Sequence, residues 1–514
     1  NRLYRQFLPY QMSKSIFSSV YNRYHQPQGN RENKGNEYIP FVDGHIYYSA
    51  RGENLYLDGD DFYADLKWNE NNSGFDRTLS FLKQVVLQCA VFAVEKKFYN
   101  LKWLYSYPTS FKDGEINQMK RIWNSLMMYV YDELIADAEG NHTATAKTES
   151  YAAGNFFMHG GTAGDMALSK YTGFVTVDIG GASSDISLWQ GKDNTKPVSQ
   201  TSFKVAGRTM LTDQLRNIEL LKKFYGNEQT EILGHLEHLQ ELSDSKVSTS
   251  IFEAEADRFI SLYSDDITSS TWARVMNDND VHTMNYKIIF NLCAIVYSAA
   301  LLLKDSIDKG VFDTEKCGHS YQFVIAGNGS NALKWVYYGD KRKFAVRGLD
   351  ELKRLLAGIV ATTVYGNDFP DEFNCVFDLT DKPKHEAACG LVLIGSGNEN
   401  EGGAGSMSLG ASLKQDLAGN TKAEINEDEK TVIGITGREE VKNTILSFFE
   451  KIKAFMPKGN GNFVSNFEND CSDTNIIVTK INNALELGGS DFIDCFAKFI
   501  SEFNKNNLGG GMNE

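Results

Sequence analysis

Two aspartates separated by glycines and serines form the most chemically suggestive cluster in the sequence, Asp178-Ile-Gly-Gly-Ala-Ser-Ser-Asp185. Apolar and β-branched residues flank it on both sides (GFVTVDIGGASSDISLWQ, residues 173–190), the composition of two strands joined by a tight glycine turn. Asp178 ends the first strand and Asp185 begins the second, so both carboxylates sit near the hairpin mouth. Gly180 and Gly181 have no β-carbon and let backbone amides approach an anion closely. The hydroxyls of Ser183 and Ser184 add donors. The chemistry this pattern offers is phosphate binding; an ordinary hairpin with a polar turn fits the segment equally well. A second glycine loop, Gly327-Asn-Gly-Ser330, follows an apolar run at 321–326 and enters a helical pattern at 331–337. Helix N-termini present unpaired amides, which makes this loop a second candidate cradle for a ligand.

The charge balance limits what such a site can rely on. Lys and Arg total 52 against 67 Asp and Glu among 514 residues, a formal net charge of −15. A surface that acidic repels nucleic-acid backbones and anionic lipid, so neither nucleic acid nor membrane is expected as a partner. Any phosphate has to be held locally, by backbone amides and a bridging cation. The seven cysteines (Cys89, Cys293, Cys317, Cys375, Cys389, Cys471, Cys495) are scattered without paired spacing, which favours a reducing, cytoplasmic setting. The histidines show no metal-ligand spacing, and no structural zinc site is expected. The glutamates Glu237, Glu241, Glu253 and Glu255 read as solvated helix faces. The longest apolar run, 288–303, falls short of the ~18–20 residues of a bilayer span and reads as a core helix. No signal-peptide pattern opens the chain, and Asn1 in place of Met suggests a fragment of something longer.

The elements that must position these residues follow from periodicity. Residues 38–48 suggest two short strands around Asp43-Gly44, and 76–98 a helix with one buried face. A strand at 103–107 stops at Pro108 and precedes a helix carrying Ile116, Met119, Ile122, Trp123 and Leu126. This order suggests an α/β domain. The region 208–320 reads as mostly helical. Residues 381–394 read as a loop with Pro383 and then a helix whose Ala387, Ala388 and Gly390 allow close approach of another helix. The matching surface is expected at 149–154 (ESYAAG). A Gly-rich linker follows residue 395, and two amphipathic stretches, 438–455 and 476–503, occupy the remainder.

Four of these segments resemble, in order and approximate separation, motifs of the actin, heat-shock chaperone and sugar kinase ATPase superfamily. Asp178 to Asp185 resembles the second phosphate hairpin, Asp-x-Gly-Gly-x-Thr-x-Asp. Ala326-Gly-Asn-Gly-Ser330 looks like the adenosine-binding loop. Glu149-Ser-Tyr-Ala-Ala is similar to the first connecting helix, and the Pro383 to Gly390 segment to the second. Weaker echoes lie at 105–119 and at Val205-Ala-Gly-Arg-Thr-Met-Leu. The resemblance covers roughly residues 38–395, nearest to the chaperone and bacterial actin-like branches. It departs in three places: no first phosphate hairpin (Asp-x-Gly-Thr-Thr) is seen upstream, Ala182 stands for a glycine, and Asn328 stands for the middle glycine of the adenosine loop.

The resemblance implies a two-lobed actin-like ATPase of the α/β class, built from duplicated ribonuclease H-like domains, with a mainly helical C-terminal extension. Residues 1–170 would form the first lobe, 171–395 the second with a helical insertion at about 208–320, and 396–514 the linker and extension. ATP with Mg²⁺ would lie in a cleft between the lobes. Asp178 would orient the attacking water or hold the hydrated metal. Asp185 would order metal-bound water, and Glu149 would sit beside that water. Gly180, Gly181, Ser183 and Ser184 would contact phosphate; Gly327, Gly329 and Ser330 would flank adenosine. The implied function is a Mg²⁺-dependent ATPase acting as a conformational switch on a protein partner or on its own copies. A small-molecule kinase and a catalytically weak actin-like scaffold are the alternatives. A kinase would show substrate-stimulated ADP release, and no general base for it stands out.

Overall fold

The protein is described here by a computed structural model. Placed residues are 78–98 in part, 101–134 apart from 110 and 112, 144–159, 173–190, 197–211, 215–225 and 230–244. They continue with scattered positions from 252 to 275, then 278–336, 349–380, 385–396, 438–455, 467, 474–487 and 492–505. The expected strands at 38–48, Pro383 and the linker after residue 396 lie outside the described residues. The fold is mixed α/β. Contacts divide it into two compact units, 1–105 with 111–146 and 226–256, and 106–110 with 147–225 and 257–514.

Strand β1 (Trp103–Tyr107) pairs with β2 (Ala144–Thr148), and helix α1 (Asp113–Met128) runs on into a π-helical turn, Tyr129–Leu134. In the first unit Tyr105 stacks on Trp123 at 4.7 Å between ring centroids, which fixes β1 against α1. The strand stop at Pro108 follows from its missing amide and restricted backbone.

The second unit is built on a five-stranded sheet. Helix α2 (Glu149–Met158) precedes β3 (Gly173–Ile179), β4 (Ser184–Gln190) and β5 (Ser199–Phe203). The short α3 (Gly207–Leu211), then α4 (Ile218–Tyr225), α5 (Thr230–Asp244, in the first unit), α6 (Asn279–Asp308) and α7 (Thr314–Cys317) lead to β6 (Ser320–Ala326). A 3₁₀ helix over Asn328–Trp335, α8 (Leu349–Val364), β7 (Asn374–Leu379) and α9 (His385–Ser396) follow. The strand order is β5-β4-β3-β6-β7. The first three strands form an antiparallel meander, and β6 and β7 run parallel to β3. The hairpin read from the sequence is therefore the centre of the sheet. Its strands are almost wholly buried, so the polar Thr176, Ser184 and Ser187 are enclosed along with the apolar residues.

Alternation assigns the two faces of the sheet. Phe174, Thr176 and Asp178 point one way with their cross-strand partners Trp189, Ser187 and Asp185. Phe174, Trp189, Val324 and Ala326 pack with Phe157 and Met158 of α2, so α2 covers this face. Helix α9 crosses α2 at very short range: a β-carbon at Gly390 would overlap the Ala152 carbonyl oxygen, and Asn155 Nδ2 donates to the Gly390 carbonyl at 3.0 Å. Gly390 thus meets α2 at Ala152, whereas Ala388 is exposed. Gly154 makes room for the Trp189 indole in the same way.

Helix α6 spans 30 residues, longer than the apolar run alone suggests. By length and composition it could cross a bilayer, yet 89% of its most apolar window is buried within the protein. The C-terminal helices α10 (Arg438–Phe455), α11 (Thr474–Leu487) and α12 (Phe492–Lys505) belong to the sheet unit. Phe290 of α6 stacks on Phe503 at 4.7 Å, and Phe203 of β5 stacks on Phe496 at 5.4 Å. Phe448, Phe496, Phe499 and Phe503 are buried, each side chain contributing about 1.5–3 kcal/mol by leaving water. The stretch 476–503, expected as one amphipathic region, is divided into α11 and α12, with Gly488 and Gly489 between them.

Candidate functional site

The hairpin turn is closed by the Gly180 amide donating to the Ser183 carbonyl at 2.9 Å. Asp178 and Asp185 are direct cross-strand partners, so their side chains share a face with β-carbons about 4.5–5.5 Å apart. Asp178 is partly exposed; Asp185 is buried. Of the two, Asp178 is the more exposed.

The second glycine loop comes directly onto this turn. Gly327 has φ +78°, a left-handed conformation, and a β-carbon there would run into Asp178 Oδ1 while lying 2.5 Å from the Ile179 carbonyl oxygen. Only a residue without a side chain fits that backbone and that contact. A β-carbon at Gly329 would overlap the Gly180 carbonyl oxygen. A third glycine, Gly207, completes the junction, with its amide donating to Gly180 O at 3.0 Å and the Arg208 amide to Gly181 O at 2.9 Å. The two loops predicted from sequence are thus in contact beside Asp178, more tightly than a pair facing each other across an open groove. The Ser330 hydroxyl donates to the Gly327 carbonyl at 2.6 Å, and the Ser184 hydroxyl to Val205 O at 2.6 Å. Both hydroxyls brace backbone turns, and Ser183 Oγ lies 3.5 Å from Asp185 Oδ2.

Glu149 opens α2 on the Asp178–Asp185 face. Thr148 is its N-cap, accepting from the Tyr151 amide at 3.2 Å and donating to Gln200 Oε1 at 2.6 Å. The Ser150 hydroxyl also donates to Gln200 Oε1, at 2.8 Å, and bonds the Thr109 hydroxyl at 2.7 Å. The Thr109 amide donates to Asp185 Oδ1 at 3.1 Å. Asp185 is thereby tied through Thr109 and Ser150 to Gln200 on β5. Ser187 continues the network, donating to the Ser150 carbonyl at 2.9 Å and accepting from Trp189 Nε1 at 2.8 Å. Tyr151, tilted against Trp189 at 5.7 Å, has its phenol pushed up by burial.

No motif assigns a role to Thr109, Ser150, Gln200 or Gly207, although Ser150 lies within the ESYAAG segment. Thr109 and Gly207 lie inside the two weaker echoes, whereas Gln200 carries no local signal at all. Replacing Thr148 with Ala is expected to lower stability by about 1–2 kcal/mol, because a cap and a side-chain bond are lost together. Thermal unfolding measures the change.

A third carboxylate, Asp378 on β7, lies on the same face, in register with Val324. Burial pushes its carboxyl up, and Gln322 Nε2 donates to its Oδ2 at 2.9 Å, which offsets part of that cost. Among the described residues no three His, Cys, Asp or Glu gather as a metal-binding group. A hydrated Mg²⁺ needs less, since it keeps several waters and takes one or two carboxylates. The partly exposed Asp178, with Asp185 beside it and all-oxygen donors around, fits such an ion.

No protein-family model and no curated protein matches the chain. Among solved structures, MreB5 of Spiroplasma citri bound to ADP is similar over 30% of this chain and 42% of its own, at 19% identity and a TM-score of 0.20. The overlap is less than half of that protein's length.

Proposed function

We propose that this chain is an actin-like nucleotide-binding protein and a Mg²⁺-dependent ATPase. The observation that carries the reading is the junction at Asp178, where a phosphate-type glycine hairpin and a second glycine loop close onto one carboxylate. Parallel pairing of β3 with β6, with Asp178 opposite Ala326, brings the two glycine patterns together at the same end of the sheet. An antiparallel meander continued by two parallel strands, with α2 and α9 crossing at backbone distance, supports the ribonuclease H-like half that the motif resemblance implies.

In this reading Asp178, with Asp185 beside it, would hold Mg²⁺. When bound, the ion supplies positive charge against the phosphates, which the acidic surface lacks. Asp178 would orient the attacking water, and Glu149, at the start of α2, would act beside it. Asp185 acts from below, fixed by Thr109. The backbone of Gly180 and Gly181 and the hydroxyl of Ser183 face the phosphates. Catalysis of this kind consists mostly of positioning and electrostatic stabilisation. The close crossing of α2 and α9 is the element through which nucleotide state changes shape, and the output is a protein partner or a second copy of the chain in the cytoplasm.

Isothermal titration of ATP into the protein, followed by phosphate release, tests the reading. Stoichiometric binding with turnover supports it, and binding without turnover identifies a scaffold. No binding sinks it. Chelating Mg²⁺ with EDTA is expected to weaken ATP affinity at least about tenfold, since the carboxylates then repel the phosphates unscreened.

A further inference from the structure

Gln200 stands opposite Ser187 on β5, the edge strand of the sheet, yet it is only 3% exposed. Burying an amide there costs free energy that an apolar side chain of the same size would not, unless its hydrogen bonds are met. Gln200 Oε1 accepts from two hydroxyls, Thr148 Oγ1 at 2.6 Å and Ser150 Oγ at 2.8 Å. Ser150 is itself fully buried.

A hydroxyl has one proton to give. Ser150 spends its own on Gln200, so the 2.7 Å bond between Ser150 and Thr109 must run from the Thr109 hydroxyl to Ser150 Oγ. Thr109, held by that hydroxyl, aims its amide at Asp185 Oδ1, at 3.1 Å. As an acceptor, Gln200 thus sets the direction of every bond in a chain that ends on the carboxylate. With the acceptor gone, Ser150 can give its proton to Thr109 instead, and the orientation of Thr109 is no longer imposed. All four residues belong to the sheet unit.

We propose that Gln200 is a positioning residue for Asp185: acting through Ser150 and Thr109, it orients the carboxylate and so sets how strongly the site holds Mg²⁺. The proposal rests on the nucleotide-binding reading above and adds to it a residue that touches neither phosphate nor metal. Outer partners that orient a metal-binding group commonly govern about 10–100-fold of metal affinity.

The test measures the affinity of the full chain for a non-hydrolysable ATP analogue, once with Mg²⁺ and once with EDTA. In the wild type Mg²⁺ is expected to strengthen binding at least about tenfold. Gln200→Leu is expected to reduce that gain to within about twofold, while its affinity in EDTA stays within about threefold of the wild type. The affinity in EDTA reports that the site is folded. Thr109→Val removes the intervening hydroxyl and is expected to lose the gain to the same extent, with the double variant no worse than either single one. Should Gln200→Leu fail to fold, Thr109→Val decides by the same criterion. The role of Gln200 is overturned, while nucleotide binding stands, if the wild type shows no Mg²⁺ gain or if either variant keeps it. It is overturned equally if a variant loses affinity with and without Mg²⁺ in parallel, or if the double variant falls below both single ones. If the wild type does not bind the analogue, the nucleotide reading fails and this inference with it.

Discussion

Replacing Asp178 with Ala is expected to leave ATP affinity within about threefold of the wild type while lowering phosphate release by about 10²–10³-fold. The split follows from position. Asp178 is the partly exposed member of the carboxylate pair, and its Oδ1 lies against the Gly327 backbone. The groups assigned to hold the phosphates are the Gly181 backbone, the Ser183 hydroxyl and a Mg²⁺ that Asp185 would still help to hold, and the substitution leaves these in place. What is lost is the charge that orients water, and that matters in the transition state more than in the bound ground state. Asp178→Asn keeps the shape without the charge and should fall equally far in turnover. Single-turnover phosphate release beside equilibrium binding measures both quantities. Full activity in either variant would remove Asp178 from its assigned role.

Gly327→Ala should destabilise the fold by more than about 4 kcal/mol and abolish nucleotide binding in whatever fraction remains folded. Two costs combine at this position. The left-handed backbone, at φ +78°, disfavours any residue with a β-carbon, by about 1–2 kcal/mol. The added methyl also runs into Asp178 Oδ1 and lies 2.5 Å from the Ile179 carbonyl oxygen, on the rigid central strand. A side chain can swing aside; a backbone carbonyl at the end of the central strand cannot. The effects are coupled, so Gly327→Ala combined with Asp178→Ala should recover the part due to the carboxylate and keep the part due to Ile179. Denaturant unfolding of the two single variants and the double variant resolves the parts. Equal stability of Gly327→Ala and the wild type would mean that the two loops do not meet as described.

Much of the local structure is legible in the residues themselves. The Gly-Gly between two β-branched runs marks the β3–β4 hairpin. Pro108 ends β1, and the helical spacing of apolar residues marks α1, α6 and α10, because each of these signals acts between near neighbours. The small residues of α2 and α9 likewise announce a close crossing, since only backbone-to-backbone contact rewards the absence of side chains. The sequence identifies Asp178 and Asp185 as a pair, but nothing local distinguishes the partly exposed member from the buried one. That difference arises when α2 covers one face of the sheet and Thr109, 76 positions away from Asp185, donates to its carboxylate. Gln200 is an ordinary strand residue until Ser150, 50 positions earlier, reaches it. Tertiary structure decided these roles because burial and hydrogen-bond satisfaction depend on which distant segments exclude water from a side chain, and no periodicity within one segment records that.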